Sequence, residues 1–173
     1  GNDFNSTITS NAKYNFSAGN YCMKKVVGGK SNIGIGYNNS RDLIGANYNI
    51  SMGQNSFLKL QNGNHNVAMG FSSMSNAITP YNCVSIGAYS GSNLVNSQNV
   101  ICLGYNAGTS SSPSGAINSN NVMCLGDNSI QNIYQRVSST IVSDQRQKSD
   151  IVDICIGLDF INALSPKCYK MND

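Results

Sequence analysis

The sequence predicts an all-β protein: a parallel β-solenoid, or β-roll, of 17-residue coils, trimeric, with a small α+β C-terminal segment. Three observations carry this. An apolar-small-apolar-Gly pattern recurs, with its glycines at positions 19, 36, 53, 70, 87, 104 and 126, five intervals of 17 residues and one of 22. Of 173 residues, 69 are Asn, Ser or Gly, which populate turns because they tolerate φ > 0 or bond their own backbone. Only 11% are charged, with no Glu and no Trp, so a coiled coil or a long solvated helix is excluded. The 40% apolar content separates the chain from a disordered polar linker.

Each coil is predicted to hold two short strands. The first reads Phe16-Ser17-Ala18, Ile33-Gly34-Ile35, Ile50-Ser51-Met52, Val67-Ala68-Met69, Val84-Ser85-Ile86, Ile101-Cys102-Leu103 and Met123-Cys124-Leu125. Apolar residues flank a small one, the period of two expected of a strand. The glycine that follows permits a sharp turn that a Cβ would block. Asn and Ser fill the corners, as in Asn38-Asn39-Ser40, Asn55-Ser56, Ser72-Ser73 and Asn106-Ala107-Gly108. The second strand is placed at Val26-Val27, Leu43-Ile44, Leu60-Gln61, Ala77-Ile78 and Leu94-Val95, and at Ala116-Ile117 in the long coil. The longer last interval is a loop bulging at Ser110-Ser111-Ser112-Pro113-Ser114-Gly115.

A fixed period with strand patterning defines a solenoid. At ~4.8 Å per coil the repeats make a rod section about 30 Å long. Asn residues stacked from coil to coil are expected to satisfy one another's amides. So thin a coil buries few apolar side chains. Copies packed around an axis, apolar inner strands together, resolve that shortage, which predicts a homo-oligomer, a trimer. The alternative is a monomeric solenoid with a private core.

Asn66-Val67-Ala68-Met69-Gly70, followed by a turn, resembles the head repeats of trimeric autotransporter adhesins. The likeness spans residues 14–130 and implies a left-handed parallel β-roll in a threefold trimer. It implies shape more than activity.

After residue 130 the character changes: 10 of the 19 charged residues lie in the last 43 positions. Residues 131–142 read as a connecting strand. Ser143-Asp144-Gln145-Arg146-Gln147-Lys148 comes next, then Gly157-Leu158-Asp159-Phe160-Ile161-Asn162-Ala163-Leu164-Ser165-Pro166 and Lys167-Cys168-Tyr169-Lys170. Asp159 to Leu164 reads as a short helix stopped by Pro166. This order resembles the start of the peptidase S74, or intramolecular chaperone, domain that ends many bacteriophage tail spikes and tail fibres. Lys167-Cys168 replaces the family's usual Val before the closing aromatic strand. The domains expected are the solenoid over 1–130, the connecting strand over 131–142, and a truncated chaperone over 143–173.

The resemblance implies a domain that assists trimerisation of the fibre before it and then cuts itself off once, between Val142 and Ser143. Ser143 would be the nucleophile and Lys148 its base. A serine hydroxyl needs a neighbouring base, and a lysine serves only when neutral. Arg146 either supplies positive field toward that end or pairs with Asp144 or Asp150. The chain holds both sides of the scissile bond and stops at Asp173, so it reads as uncut, truncated or a non-cleaving relative. The function implied is a structural virion fibre or tail-spike protein, exposed on the particle, for host attachment. A trimeric bacterial adhesin head and a single-turnover Ser-Lys peptidase are the alternatives.

Other classes of chemistry are not supported. Net charge +3 is too mild to imply nucleic acid, and no apolar run approaches the ~18 residues of a membrane helix. The chain opens Gly1-Asn2-Asp3 and reads as a fragment or processed product. Six cysteines, at 22, 83, 102, 124, 155 and 168, lack a C-x-x-C pair and accompany one histidine, so no metal and no cofactor is expected. Scattered spacing favours free thiols. Cys102 and Cys124 share a coil position, either as a stacked thiol pair or disulfide, or as small outward-packing residues like Ser85 and Ala68. His65 is expected in a solvent-facing turn. Asp42 and Asp127 lie too many coils apart for a glycosidase pair, and no phosphate loop is present. Tyr37, Phe71 and Tyr105 each follow a coil glycine and form a stripe. That stripe either packs at the coil corner or touches a host surface glycan or protein receptor.

Overall fold

In the computed structural model, which describes residues 7–8, 11–111, 120–134 and 136, the repeats wind into a parallel β-solenoid. The chain divides into two units, Gly1–Ile133 and Tyr134–Asp173, and every element below belongs to the first. The strands are β1 (Thr7–Ile8), β2 (Phe16–Ala18), β3 (Lys25–Val26), β4 (Ile33–Ile35) and β5 (Asp42–Leu43). They continue as β6 (Ile50–Met52), β7 (Val67–Met69), β8 (Val84–Ile86), β9 (Val100–Leu103) and β10 (Val122–Leu125). The first wall is a seven-stranded sheet ordered β2-β4-β6-β7-β8-β9-β10, and the second is a three-stranded sheet ordered β1-β3-β5. All pairings are parallel, and equivalent repeat positions are partners, such as Ile33 with Ile50 and Ile50 with Val67. The long interval is absorbed without loss of register, since Ile101 still pairs with Met123.

Glycine closes the first wall. Gly36 has φ +136°, and a Cβ there would lie 2.6 Å from the Gly53 carbonyl oxygen of the next coil. The other corners hold left-handed residues, many of them Asn and Ser, such as Asn38, Asn55, Ser72 and Asn106. These are the turn positions that the composition anticipated.

Two expectations need correction. The second strand is absent from the later coils: β1, β3 and β5 are its only instances among the described residues. At β3 and just after it the Lys25 and Val27 amides donate to Arg41 and Leu43 of the next coil, at 2.9 and 2.8 Å, and the Val27 bond recurs later, from Gln61 to Ile78 and from Ile78 to Val95, at 3.0 and 2.8 Å. At Leu60, Ala77 and Leu94, the repeat position of Val26, the amide closes a local turn onto Phe57, Met74 and Gly91, at 3.2, 3.1 and 3.0 Å. An amide used within its own coil is lost to the ladder, so the wall continues as stacked turns. The predicted pair Ala116-Ile117 lies outside the described residues.

The small residues of the first wall, not its large apolar ones, face in. Gly34, Ser51, Ala68, Ser85, Cys102 and Cys124 are the buried positions of their strands, so Cys102 and Cys124 pack inward and not outward. The large flanking residues point out. The second wall supplies the interior volume, through Val26, Leu43, Leu60, Ala77 and Leu94, with Met23, Phe57 and Met74 from the corner. A Cβ on Gly34 would meet the Met23 methyl at 2.9 Å, which shows how fully the lumen is filled.

The expected amide ladder runs through this interior. Asn32, Asn49 and Asn66 are buried in successive coils, above Asn15. Each amide Nδ2 donates to Oδ1 of the preceding member, at 3.0 Å for Asn32 to Asn15 and 2.9 Å for Asn49 to Asn32 and Asn66 to Asn49. Its second hydrogen goes to a carbonyl of the following coil: Ala46, Gly63 and Pro80 in turn. The ladder stops at Cys83, whose backbone amide donates to Asn66 Oδ1 at 2.9 Å. Three amides are thereby buried with their hydrogen bonding met, which removes the desolvation cost of an orphaned polar group.

Candidate functional site

The most unusual surface is the outer face of the seven-stranded sheet. Its outward positions, two per strand from Phe16 and Ala18 to Met123 and Leu125, are apolar without exception. Phe16, Ile33, Ile50, Met52, Ile86, Leu103, Met123 and Leu125 are exposed. A parallel sheet ordinarily has both faces covered, and a monomer rarely shows a continuous apolar patch of this extent. No charge or hydroxyl interrupts the two rows, so the face suits a partner that is itself apolar.

Beside it runs the coil corner that carries the aromatic stripe. Tyr37, Phe71 and Tyr105 are exposed there, Tyr37 at 50% and Tyr105 at 58%. They pack edge to face with two rings that the sequence pattern overlooked. Tyr21 meets Tyr37 at 5.8 Å between ring centres, and Tyr89 bridges Phe71 and Tyr105 at 5.2 and 6.2 Å. Tyr21 and Tyr89 stand one position later in the repeat than the stripe, so a search of a single column misses them. The rings therefore pack at the corner while keeping exposed surface. Lys24 lies over the Tyr21 ring at 5.0 Å.

His65 sits exposed in its turn, as expected, and stacks on Tyr48 at 5.0 Å with the planes 6° apart. Cys22, Cys83, Cys102 and Cys124 are buried thiols outside any disulfide. Cys102 and Cys124 are strand partners one coil apart. Burial pushes the Cys22 thiol up to about 11. Burial, then the neighbouring Cys124, does the same for Cys102, to about 11, and burial raises Cys83. Thiols held protonated in this way are poor nucleophiles. Among the described residues no three His, Cys, Asp or Glu gather as a metal ligand set.

Ser143 and Lys148 lie outside the described residues, as do the helix expected over 159–164 and the remainder of 143–173. Residues 131–134 carry no strand pairing, and the rest of the 131–142 stretch, Arg136 apart, also lies outside.

The fold and its surfaces define a class: a β-solenoid with one wholly apolar outer wall and an aromatic corner. No family model, no curated protein and no solved structure matches the chain.

Proposed function

We propose that the chain is a shaft segment of a homotrimeric virion fibre or tail spike that attaches the particle to a host surface. Its C-terminal segment is the start of an intramolecular chaperone that assists trimer assembly. The observation that carries the trimer is the uninterrupted apolar outer wall. Three such walls turned toward one axis cover one another, and the short Ile, Met, Leu and Val side chains allow close approach. The virion assignment rests on the Ser143 to Pro166 signature. The 66–70 motif favours a bacterial adhesin head as second reading, which shares the trimer but not the chaperone.

Light scattering on the intact chain tests the assembly. A molar mass three times 18.4 kDa is expected, and Ile86→Asp with Met52→Asp should bring it to the protomer mass with the β signal in circular dichroism retained. A protomer mass for the unmodified chain sinks the trimer. Self-cleavage is read by mass spectrometry on a precursor that carries the whole chaperone domain, since the present chain is expected to stay uncut: there a product ending at Val142 is expected, lost in Ser143→Ala and Lys148→Ala. A fragment pattern of that precursor left unchanged by Ser143→Ala removes the dyad.

A further inference from the structure

The geometry points to a binding site for an acidic sugar, carboxylated or sulfated, in the cleft that Tyr21, Lys24, Tyr37, Asn38 and Arg41 form between two adjacent coils. The inference deepens the attachment reading by naming the chemistry of the surface bound. The cleft holds about 340 Å³, the scale of a small-ligand site, and none of the outward residues of the seven-stranded sheet lines it.

Its wall chemistry is that of a sugar acid's two halves. Tyr37, packed edge to face with Tyr21 at 82° and half exposed, offers aromatic surface to a pyranose ring. Lys24 and Arg41 occupy the same repeat position in consecutive coils, which brings two cations to one side of the cleft. Arg41 gives its Nε to Asp42 at 2.8 Å, which leaves its two terminal nitrogens for a bidentate anion. Asn38 adds an amide for ring hydroxyls: one Nδ2 hydrogen goes to Asn55 at 3.0 Å, and the carbonyl oxygen and second hydrogen serve as acceptor and donor.

Among the described residues the arrangement occurs once. In the following coils the position of Lys24 and Arg41 is taken by Leu58, Ser75, Ser92 and Thr109, so the later aromatic pairs lack cations. The wider field agrees. From Asn11 to Met52 the chain carries Lys13, Lys24, Lys25, Lys30 and Arg41 against Asp42 alone, whereas from Gly53 to Tyr134 it carries Lys59 against Asp127. An anion is therefore drawn to this end of the roll.

Saturation-transfer NMR on the full chain tests the site, with 3′-sialyllactose, a sulfated chondroitin disaccharide and neutral lactose as probes. Phosphatidylserine vesicles are offered in a parallel sedimentation assay. Binding of either acidic sugar, with lactose weaker by about tenfold, is the expected result; which of the two binds tells carboxylate from sulfate. Arg41→Ala and Tyr37→Ala should each weaken binding about tenfold or more, Arg41→Lys less, at unchanged molar mass. No binding of either sugar overturns the site, as does unaltered binding by both alanine variants. So does vesicle binding without sugar binding, or a fall in molar mass that would place the cleft in a subunit contact. The readouts stay separate: a monomeric chain that binds acidic sugar loses the fibre reading and keeps the site, and a trimer that binds none does the reverse.

Discussion

The first wall of the roll sends Gly34, Ser51, Ala68, Ser85, Cys102 and Cys124 inward, and the second sends Val26, Leu43, Leu60, Ala77 and Leu94. The difference teaches how a coil this narrow is filled. There is room for large side chains from one wall only, so the other must present small ones. The apolar residues of the first wall are then left outside, and the thin core and the sticky surface have a single cause. Polar residues inside are tolerated where they stack, as along Asn15, Asn32, Asn49 and Asn66, because each coil repeats the one before it.

The corner that joins strand to turn should be the most sensitive point. Gly36→Ala places a side chain at φ +136° and against the Gly53 backbone, and is expected to cost about 3 kcal/mol or more in urea unfolding. A mild loss would mean that the walls are not held at that spacing. Next in size, Leu60→Ala on the second wall should cost about 2–5 kcal/mol by the same measurement, since Leu60 is wholly buried. The matched Ile50→Ala on the outer face of the first wall should cost less in the dissociated protomer. Equal losses would break the distinction between the walls.

The ladder is tested by Asn49→Ala. It removes the amide donor to Asn32 Oδ1 and Gly63 O and the acceptor of Asn66, with an expected loss of about 1–3 kcal/mol. Smallest is the alkaline response. Cys22 and Cys102 are raised from the ordinary 9.0 to about 11, so above pH 9 the unfolded chain sheds these protons while the folded one keeps them. Stability is full below pH 9 and declines through about pH 11, and the decline should be shallower in Cys22→Ala with Cys102→Ala, read as thermal midpoint against pH.

Much of the fold was legible because its signal is periodic. Glycine every 17 residues marks the corner in each coil, and a residue without Cβ is the local requirement of that backbone. The second wall was less legible. Val26 and Leu60 occupy the same repeat position, yet one lies in a strand and the other closes a turn, and the choice depends on where one amide hydrogen goes. The aromatic corner was half visible: the stripe was found, but its partners Tyr21 and Tyr89 sit in the adjacent column and meet it only through the left-handed turn.

By itself the sequence determined the 17-residue repeat, the parallel register it imposes, and the corners filled by Gly, Asn and Ser, because each follows from local backbone preference repeated at a fixed interval. Only the tertiary structure decided which face of the first wall looks inward. An apolar-small-apolar triplet alternates equally well either way round. The side that faces the lumen is set by the volume Leu43, Leu60 and Phe57 bring from across it, a quantity no single strand contains.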